Sequence, residues 1–417
     1  MTWDAAEGFL KLSLDPVFTA ALASALFVLG LHLRKKFHFL RRFCVPAGVA
    51  GGLCMAFCAF CLYYPGIAAI SFDQSLQTPL VAIFFTRIGL TASFMAIRKG
   101  GRALLFYLFF CWGLALFQNV LGVVLASLFG LHPVLGVMAG AVSLEGGHNL
   151  AVIFGPMAES MGVTGATAVA IASATYGLMA GGIMSASISE WLIARHGLEL
   201  ATSYDMLYKG YHESTNRSDG IEIHEFIHTL ALLLALMALG SWAAGRLQDR
   251  IARIEGWEHF SLPGYLGAMF LAVIFRNLND RLKWVQIHPR ALDLISTVSV
   301  SIFLTVSMMG LRIWELYGLA LPLLFILVAQ TLAIIVITIF VLFPVMGKDY
   351  DAAIICSGFV GHGLGAPPSA VSMMRAACEY HNVMSYKAFL IVPLCGAVLI
   401  DLVALPSIVW FINYFSH

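Results

Sequence analysis

The sequence predicts an all-α membrane protein with two inverted repeats, each made of five transmembrane helices and one re-entrant helical hairpin. Its composition, the spacing of its apolar runs and a recurring order of short motifs predict this fold. Of the 417 residues, 60% are hydrophobic and only 11% are charged. Soluble domains carry about 25% charged residues, so lipid must be the solvent for much of this surface.

The net charge and the cysteines argue against other classes of protein. A formal net charge of +1 lacks the clustered excess of Lys and Arg that nucleic-acid binding requires. The eight cysteines lie mostly within apolar stretches, where they are expected to be small apolar helix residues. Because the N-terminus is acidic and the first basic cluster follows the first apolar run, that run is expected to be a true span and not a cleaved signal.

Runs of about 20 apolar residues predict membrane-spanning helices, because backbone amides in hydrocarbon must be satisfied internally. Five such runs lie on each side of a polar segment, 196–221. The runs are 16–33, 43–64, 79–97, 103–129, 163–194, 222–246, 260–277, 290–310, 317–345 and 384–414. Lys and Arg concentrate in the loops on one side, so the polar segment is expected in the cytoplasm and both termini outside.

Two apolar stretches are too interrupted to be ordinary spans. The stretch 133–158 has Glu145-Gly146-Gly147-His148 at its centre, and the stretch 350–377 contains the glycines and prolines between Gly361 and Pro368. A helical hairpin that enters the membrane and returns fits both. Irregular backbone at membrane depth is tolerated only where it faces protein or a water-filled cavity.

Short motifs recur in the same order in residues 1–195 and 222–417. Val45-Pro46 resembles Leu262-Pro263, and Ile88-Gly89-Leu90 resembles Met309-Gly310-Leu311. The pair Gln118-Asn119 resembles Gln330-Thr331, and the two glycine-rich centres correspond in position. An odd number of spans in each half inverts the second half, and inverted repeats with broken helices are typical of secondary transporters. The alternative is chance similarity among helices rich in Gly and Leu.

Ionisable residues inside apolar segments are costly and usually functional. Arg87 in the third span and Glu145 at the first hairpin tip are expected to pair, either statically or while meeting the substrate or a coupling proton. His148 and His362 lie at the two tips, where an imidazole could couple transport to protons or simply be a satisfied helix residue. Asp401 in the last span could bind sodium or a proton, or cap a neighbouring helix.

The glycines of the tips allow backbone groups to approach a ligand closely, and opposed helix ends suit an anion with a cation beside it. Gly177, Gly181 and Gly182 instead favour helix packing. The candidate substrate-binding residues are Arg87, Glu145, Gly146, Gly147, His148, Asn149, Gly361, His362, Gly363, Gly365 and Ser369. The candidates for cation coupling are Thr86, Glu145, Gln118, Gln330 and Asp401.

Taken together, these motifs resemble the bacterial sodium/glutamate symporters over nearly the whole chain. The resemblance is strongest at Phe84 to Leu90, Ser143 to His148, Gly363 to Ala366 and Val392 to Asp401. It implies a homodimeric carrier of the inner membrane that takes up glutamate with sodium and has no other cofactor. It also implies an elevator-type mechanism, in which core regions 79–194 and 290–414 move against a scaffold of 16–64 and 222–277.

The chain departs from this family at the tips of both hairpins. The family's first tip reads Ser-Gly-Gly-His-Gly-Thr, whereas this chain has Glu145 at the first position and Asn149 at the fifth. His362 replaces a phenylalanine in the second tip, and Arg87 replaces a small or hydroxyl residue. These changes leave open a proton-linked carrier for a different small solute, such as another amino acid or a dicarboxylate. An intramembrane enzyme and a passive channel are remote alternatives, so the chain is not expected to be an enzyme.

Overall fold

The computed structural model describes residues 2–4, 10–37, 40, 46–64, 68–73, 75–198, 222–254, 262–311, 319–365, 367–381 and 383–416. Most of these residues are helical, which confirms the all-α membrane class. The first helices are α1 (Pro16–Lys36), α2 (Ala47–Tyr63), α3 (Gln77–Thr91), α4 (Phe94–Leu128), α5 (Pro133–Met138), α6 (Ala141–Leu144), α7 (Gly147–Ser160) and α8 (Ala166–His196). The others are α9 (Ile223–Ile251), α10 (Gly264–Leu282), α11 (Pro289–Met309), α12 (Ala320–Met346), α13 (Tyr350–Gly365), α14 (Pro367–His381), α15 (Tyr386–Leu394) and α16 (Asp401–Phe415).

Six helices within the described ranges are long and apolar enough to cross a membrane. They are α1, the Gly101–Leu128 part of α4, α8, α9, α11 and α12. The protein is therefore a multi-pass membrane protein. The other predicted spans correspond to helices that are shorter or more polar. For example, α2 has 17 residues, and α10 carries Arg276, Asp280 and Arg281 near its end.

The predicted span 79–97 ends early, at Thr91, because the backbone leaves the helical region at Ala92 and Ser93. Asn277 of α10 stabilises this break. Its side-chain amide donates to the carbonyl of Ala92 over 2.8 Å, and its oxygen accepts from the amide of Phe94 over 2.8 Å. A second change of direction follows at Gly101, whose φ of 65° is accessible to glycine at little cost.

The chain also forms a small three-stranded sheet that the sequence analysis did not predict. Strand β2 (Leu10–Leu14) pairs antiparallel with β1 (Thr2–Asp4) and parallel with β3 (Ala68–Phe72). The sheet thereby ties the segment before α1 to the connection between α2 and α3. Asp15 follows directly and caps α1, since its carboxylate accepts from the amide of Phe18 over 2.9 Å.

Two helix pairs approach each other so closely that only glycine fits between them. A Cβ on Gly51 of α2 would lie 1.9 Å from the carbonyl oxygen of Leu26 in α1. A Cβ on Gly267 of α10 would lie 2.4 Å from the carbonyl oxygen of Gly240 in α9. Small residues of this kind let helix backbones pack tightly in membranes.

The main hydrophobic core lies among α4, α8, α12, α13 and the helices around them. Helix α8 packs against both α7 and α13, while α5 packs against α4 and α16. This arrangement brings two interrupted helical segments together. We call α5–α6–α7 the first broken segment and α13–α14 the second broken segment.

Candidate functional site

The first broken segment turns sharply at its glycines. Gly140 has a non-helical backbone between α5 and α6, and the turn Glu145–Gly146 separates α6 from α7. Gly147 then begins α7 with a φ of 61°, a conformation that favours glycine. The amides of Glu145 and Gly146 both donate to the carbonyl of Ala141, which fixes the turn. Glu145 is held at its centre with only 6% of its surface exposed.

The end of α13 in the second broken segment is fixed by side chains from α4. The hydroxyl of Tyr107 and Nδ1 of His362 share a hydrogen bond of 2.8 Å. The amide of Gln118 donates to the carbonyl of Gly363 over 2.8 Å, and Gln330 of α12 donates to the carbonyl of Gln118 over 2.7 Å. The predicted candidates Gln118 and Gln330 therefore hold α4, α12 and α13 together.

Asp401 follows a π-helical turn, Cys395–Leu399, that interrupts the predicted span 384–414 between α15 and α16. The indole of Trp112 donates to the carbonyl of Leu399 over 2.8 Å and so ties this turn to α4. Single π-turns inside helices are frequent at functional sites. Here the turn directly precedes the acidic residue.

These three regions meet around a small cavity of roughly the size of a water molecule. Its polar side chains are Glu145, His362 and Asp401. The rest of its lining consists of Ala141, Gly146, Leu150, Ile400 and Ala404. The cavity is too small for an amino acid in this conformation.

Two of the polar side chains in the cavity have groups without hydrogen-bond partners among the described residues. Neither carboxylate oxygen of Glu145 has one, and Nε2 of His362 has none either. His362 is 1% exposed. Buried polar atoms are almost always hydrogen-bonded, so these unpartnered atoms around the cavity are available to bind water, a ligand, an ion or a proton.

The expected pairing of Arg87 with Glu145 is wrong. The guanidinium of Arg87 instead donates to the carboxylate of Asp293 on α11 over 2.8 Å. The two side chains of this pair are 27% and 58% exposed. Forming the ion pair here therefore has a smaller desolvation penalty than burying both charges in the cavity would. Arg87 does lie close enough to Asp401 for their charges to interact. Asp293 could have been considered from the sequence, because it is an acid within an apolar run.

Several predicted site residues lie away from the cavity. His148 is buried, and its Nε2 shares a hydrogen bond of 3.0 Å with the hydroxyl of Thr175 on α8. Asn149 is partly buried. The hydroxyl of Thr86 donates to the carbonyl of Ala82 in its own helix over 2.6 Å.

The remaining glycines of the second tip serve packing, as far as the structure describes them. A Cβ on Gly361 would lie 2.7 Å from Cα of Ala370 in α14. Gly365 is buried and ends α13. The side chain of Ser369 lies outside the described residues.

No group of three or more His, Cys, Asp or Glu side chains in the described ranges is arranged to hold a metal ion. Cys58 and Cys61 are exposed on the surface of α2 as free thiols. Sequence reasoning missed Tyr107 and Thr175, the partners of the two histidines, because neither belongs to a recognisable motif.

Comparison with known proteins decides the class of this protein. The sequence profile described as sodium/glutamate symporter matches residues 12–383. The chain belongs to the sodium/glutamate symporter family. A sodium/glutamate symporter of Escherichia coli (strain K12) is 35% identical over 391 residues, which cover 94% of this chain and 95% of that protein. One of Haemophilus influenzae (strain Rd) is 34% identical over 389 residues, covering 92% and 94%.

This membership confirms the resemblance and the class of function expected from the sequence. The members with which the chain aligns are transporters and not enzymes, so the protein is a membrane transporter. The alignment spans nearly the whole length of both chains.

Proposed function

We propose that this protein is a cation-coupled symporter of glutamate or a related organic anion in the bacterial inner membrane. The observation that carries the proposal is the alignment over 94% of the chain with a protein named sodium/glutamate symporter. Sodium is the coupling ion that this name implies.

The charge of the cavity supports coupling to a cation. Glu145 and Asp401 both line it, and Glu145 has no hydrogen-bond donor of its own among the described residues. An anionic substrate approaching two carboxyl groups would be repelled, and a cation bound with it would reduce that repulsion. The N-terminus of α7 lies beside the same cavity, where its partial positive charge favours a substrate carboxylate.

For the mechanism, we propose alternating access of the elevator type between two inverted repeats, 1–195 and 222–417, joined by a cytoplasmic linker. The scaffold would consist of 16–64 and 222–277 and would also form a homodimer. The core would consist of 79–194 and 290–414 with re-entrant hairpins 133–158 and 350–377. Matching glycine contacts support a common plan, since Gly51 joins α1 to α2 and Gly267 joins α9 to α10. With the linker in the cytoplasm, both termini would lie outside.

A second candidate is a proton-linked carrier for a different small solute. The unpartnered polar atoms of Glu145 and His362 in one cavity favour it. The sequence predicted that Arg87 would pair with Glu145, but its guanidinium instead donates a hydrogen bond to Asp293.

Transport by purified protein in liposomes tests the proposal. Vesicles preloaded with glutamate should exchange it for external labelled glutamate, and an inward sodium gradient should drive net uptake where choline does not. Aspartate and other dicarboxylates, added as competitors, would define the substrate. Absence of saturable exchange for every amino acid and dicarboxylate tested would contradict the proposal. Exchange of another solute without sodium would favour the second candidate.

A further inference from the structure

The cavity contains more acidic than basic groups. Asp401 of α16 and Glu145 of the first tip face it, and His362 of α13 is its third polar side chain. Helix α4 contributes Tyr107 behind His362 and Cys111 within electrostatic range of Glu145.

The guanidinium of Arg87 on α3 interacts electrostatically with Asp401 but donates its hydrogen bond to Asp293. His148 of α7 is turned away from the cavity towards Thr175 of α8. In the described part of the chain, Glu145 therefore has no Arg or Lys side chain beside it, and His362 is the basic side chain that shares its cavity.

Two ionised carboxylates in so small a buried space would be strongly unfavourable. Burial removes the water that stabilises each charge, and like charges in one site oppose each other's ionisation. Of these two acids, Arg87 interacts electrostatically with Asp401 alone, and its guanidinium is already paired with Asp293. One further positive charge is needed to balance the pair.

We propose that Glu145 and Asp401 together hold one exchangeable proton, which this carrier moves with its substrate. The inference rests on the proposed transport function and adds a proton to the sodium that the name of the relatives implies. It requires a different pairing from the one expected from the sequence, since the partner of Glu145 is Asp401 and not Arg87.

The chemistry of the lining favours a proton over a metal cation. Hard cations need several oxygen ligands, whereas five of the eight lining residues are apolar or glycine. The carbonyl of Ala141 is already engaged by the amides of Glu145 and Gly146. A proton needs only one oxygen and no additional space.

The surroundings assign the proton to Glu145 and the negative charge to Asp401, because Glu145 is only 6% exposed and has no hydrogen-bond donor among the described residues, whereas Asp401 is only partly buried. Nε2 of His362 faces the cavity without a partner, while Tyr107 holds Nδ1. In the tautomer whose Nδ1–H donates to the hydroxyl of Tyr107, Nε2 of His362 is the free acceptor. When the cavity opens to water, the O–H bond of Glu145 breaks and its proton bonds to Nε2. The Nε2–H bond then breaks, and the proton passes to water. Tyr107 acts here as a positioning residue.

Infrared difference spectroscopy of the purified protein tests the proton directly, without a substrate. A pH jump should produce a carbonyl stretching band of a protonated carboxylic acid that disappears in Glu145→Gln. In Asp401→Asn the band should persist, but its pH dependence should shift. Glu159→Gln is the matched control, since Glu159 is an exposed carboxylate on α7 whose bond to the amide of Thr167 a glutamine can retain. An unchanged band in Glu145→Gln, with correct folding verified by gel filtration, would overturn the assignment.

Uptake into liposomes tests coupling. With the membrane potential clamped, substrate accumulation in the wild type should rise about tenfold per unit of pH difference, acidic outside, because one proton per substrate is worth that factor. The pH dependence should be lost in Glu145→Gln and kept in Glu159→Gln. If the wild type exchanges glutamate but ignores the pH gradient, the proton inference fails alone. If it exchanges no organic anion, the proposed function fails, and the infrared result still decides the proton site.

Discussion

Each of the two broken segments carries a histidine near its glycine-rich tip, but of these two rings only that of His362 lines the cavity. His148 of the first segment bonds through Nε2 to Thr175 of α8. His362 of the second bonds through Nδ1 to Tyr107 of α4 and leaves Nε2 open to the cavity. The first segment supplies Glu145 to the cavity instead.

The difference teaches that two glycine-rich tips of similar composition can present different side chains to one cavity. Each tip contributes one ionisable group, a carboxyl from the first and an imidazole from the second. The hydrogen-bond partner on the neighbouring helix decides which ring nitrogen remains available. The following predictions test this comparison between the two segments.

The largest effect is expected from Gly177→Ala in α8, which lies between the two segments. The new Cβ would lie 2.2 Å from the carbonyl oxygen of Leu364 and 2.9 Å from Cδ2 of Leu144. The side-chain end of Leu144 can move, but the backbone of α13 must shift, so the second segment should be displaced more. We expect a loss of about 1–3 kcal/mol in stability, measured by thermal unfolding in detergent.

Gly182→Ala is the matched control on the same helix, because its Cβ would meet only Cε of Met373 at 3.9 Å. Its stability should stay within about 0.5 kcal/mol of the wild type. Equal unfolding temperatures for the two variants would show that the close contact at Gly177 does not exist.

An intermediate effect is expected from Tyr107→Phe, which removes the hydrogen bond to His362. Loss of one such bond should cost about 0.5–1.5 kcal/mol. Because the ring of His362 is then no longer oriented towards the cavity, the pH profile of substrate exchange should also change. Exchange measured in liposomes at several pH values checks this.

Thr175→Val is the counterpart in the first segment, since it removes the partner of His148. Stability should fall by a similar amount, while the pH profile should remain that of the wild type. A profile altered equally by both substitutions would remove the distinction between the two histidines.

The smallest effect is expected at the ion pair outside both segments. Arg87 and Asp293 are partly exposed, so their coupling should be about 0.2–1 kcal/mol in a double-mutant cycle of Arg87→Gln and Asp293→Asn. The corresponding cycle of Arg87→Gln and Glu145→Gln should be additive in unfolding experiments. Strong coupling in the second cycle would support a direct contact between Arg87 and Glu145, which the structure does not show.

The sequence was sufficient for the class, the family and most helices, because long apolar runs and broken glycine-rich stretches follow directly from the demands of the bilayer. It also identified Glu145, His362 and Asp401, since ionisable groups in apolar runs stand out. It did not predict which side chains pair with each other. Arg87 and Asp293 are 206 residues apart, and nothing in local spacing distinguishes Asp293 from Glu145 as the acid that reaches the guanidinium.

The small sheet and the π-helical turn Cys395–Leu399 were also not predicted from the sequence. The strands are five residues or shorter, and β2 and β3 pair in parallel across the whole of α1 and α2. The predicted span 384–414 has continuous apolar character, which carries no information about how many residues each turn contains. These features depend on contacts between helices, such as that of Trp112 with Leu399.

The π-helical turn Cys395–Leu399 sets the direction in which the last helix presents its side chains. Relative to a regular α-helix, such a turn contains one additional residue, and one residue corresponds to a rotation of about 100° around the axis. Removing a single residue from this turn would therefore rotate Asp401 away from Glu145 while leaving the composition of the helix almost unchanged. The presence of a second carboxyl group in the cavity therefore depends on the number of residues in this turn as much as on the chemistry of Asp401.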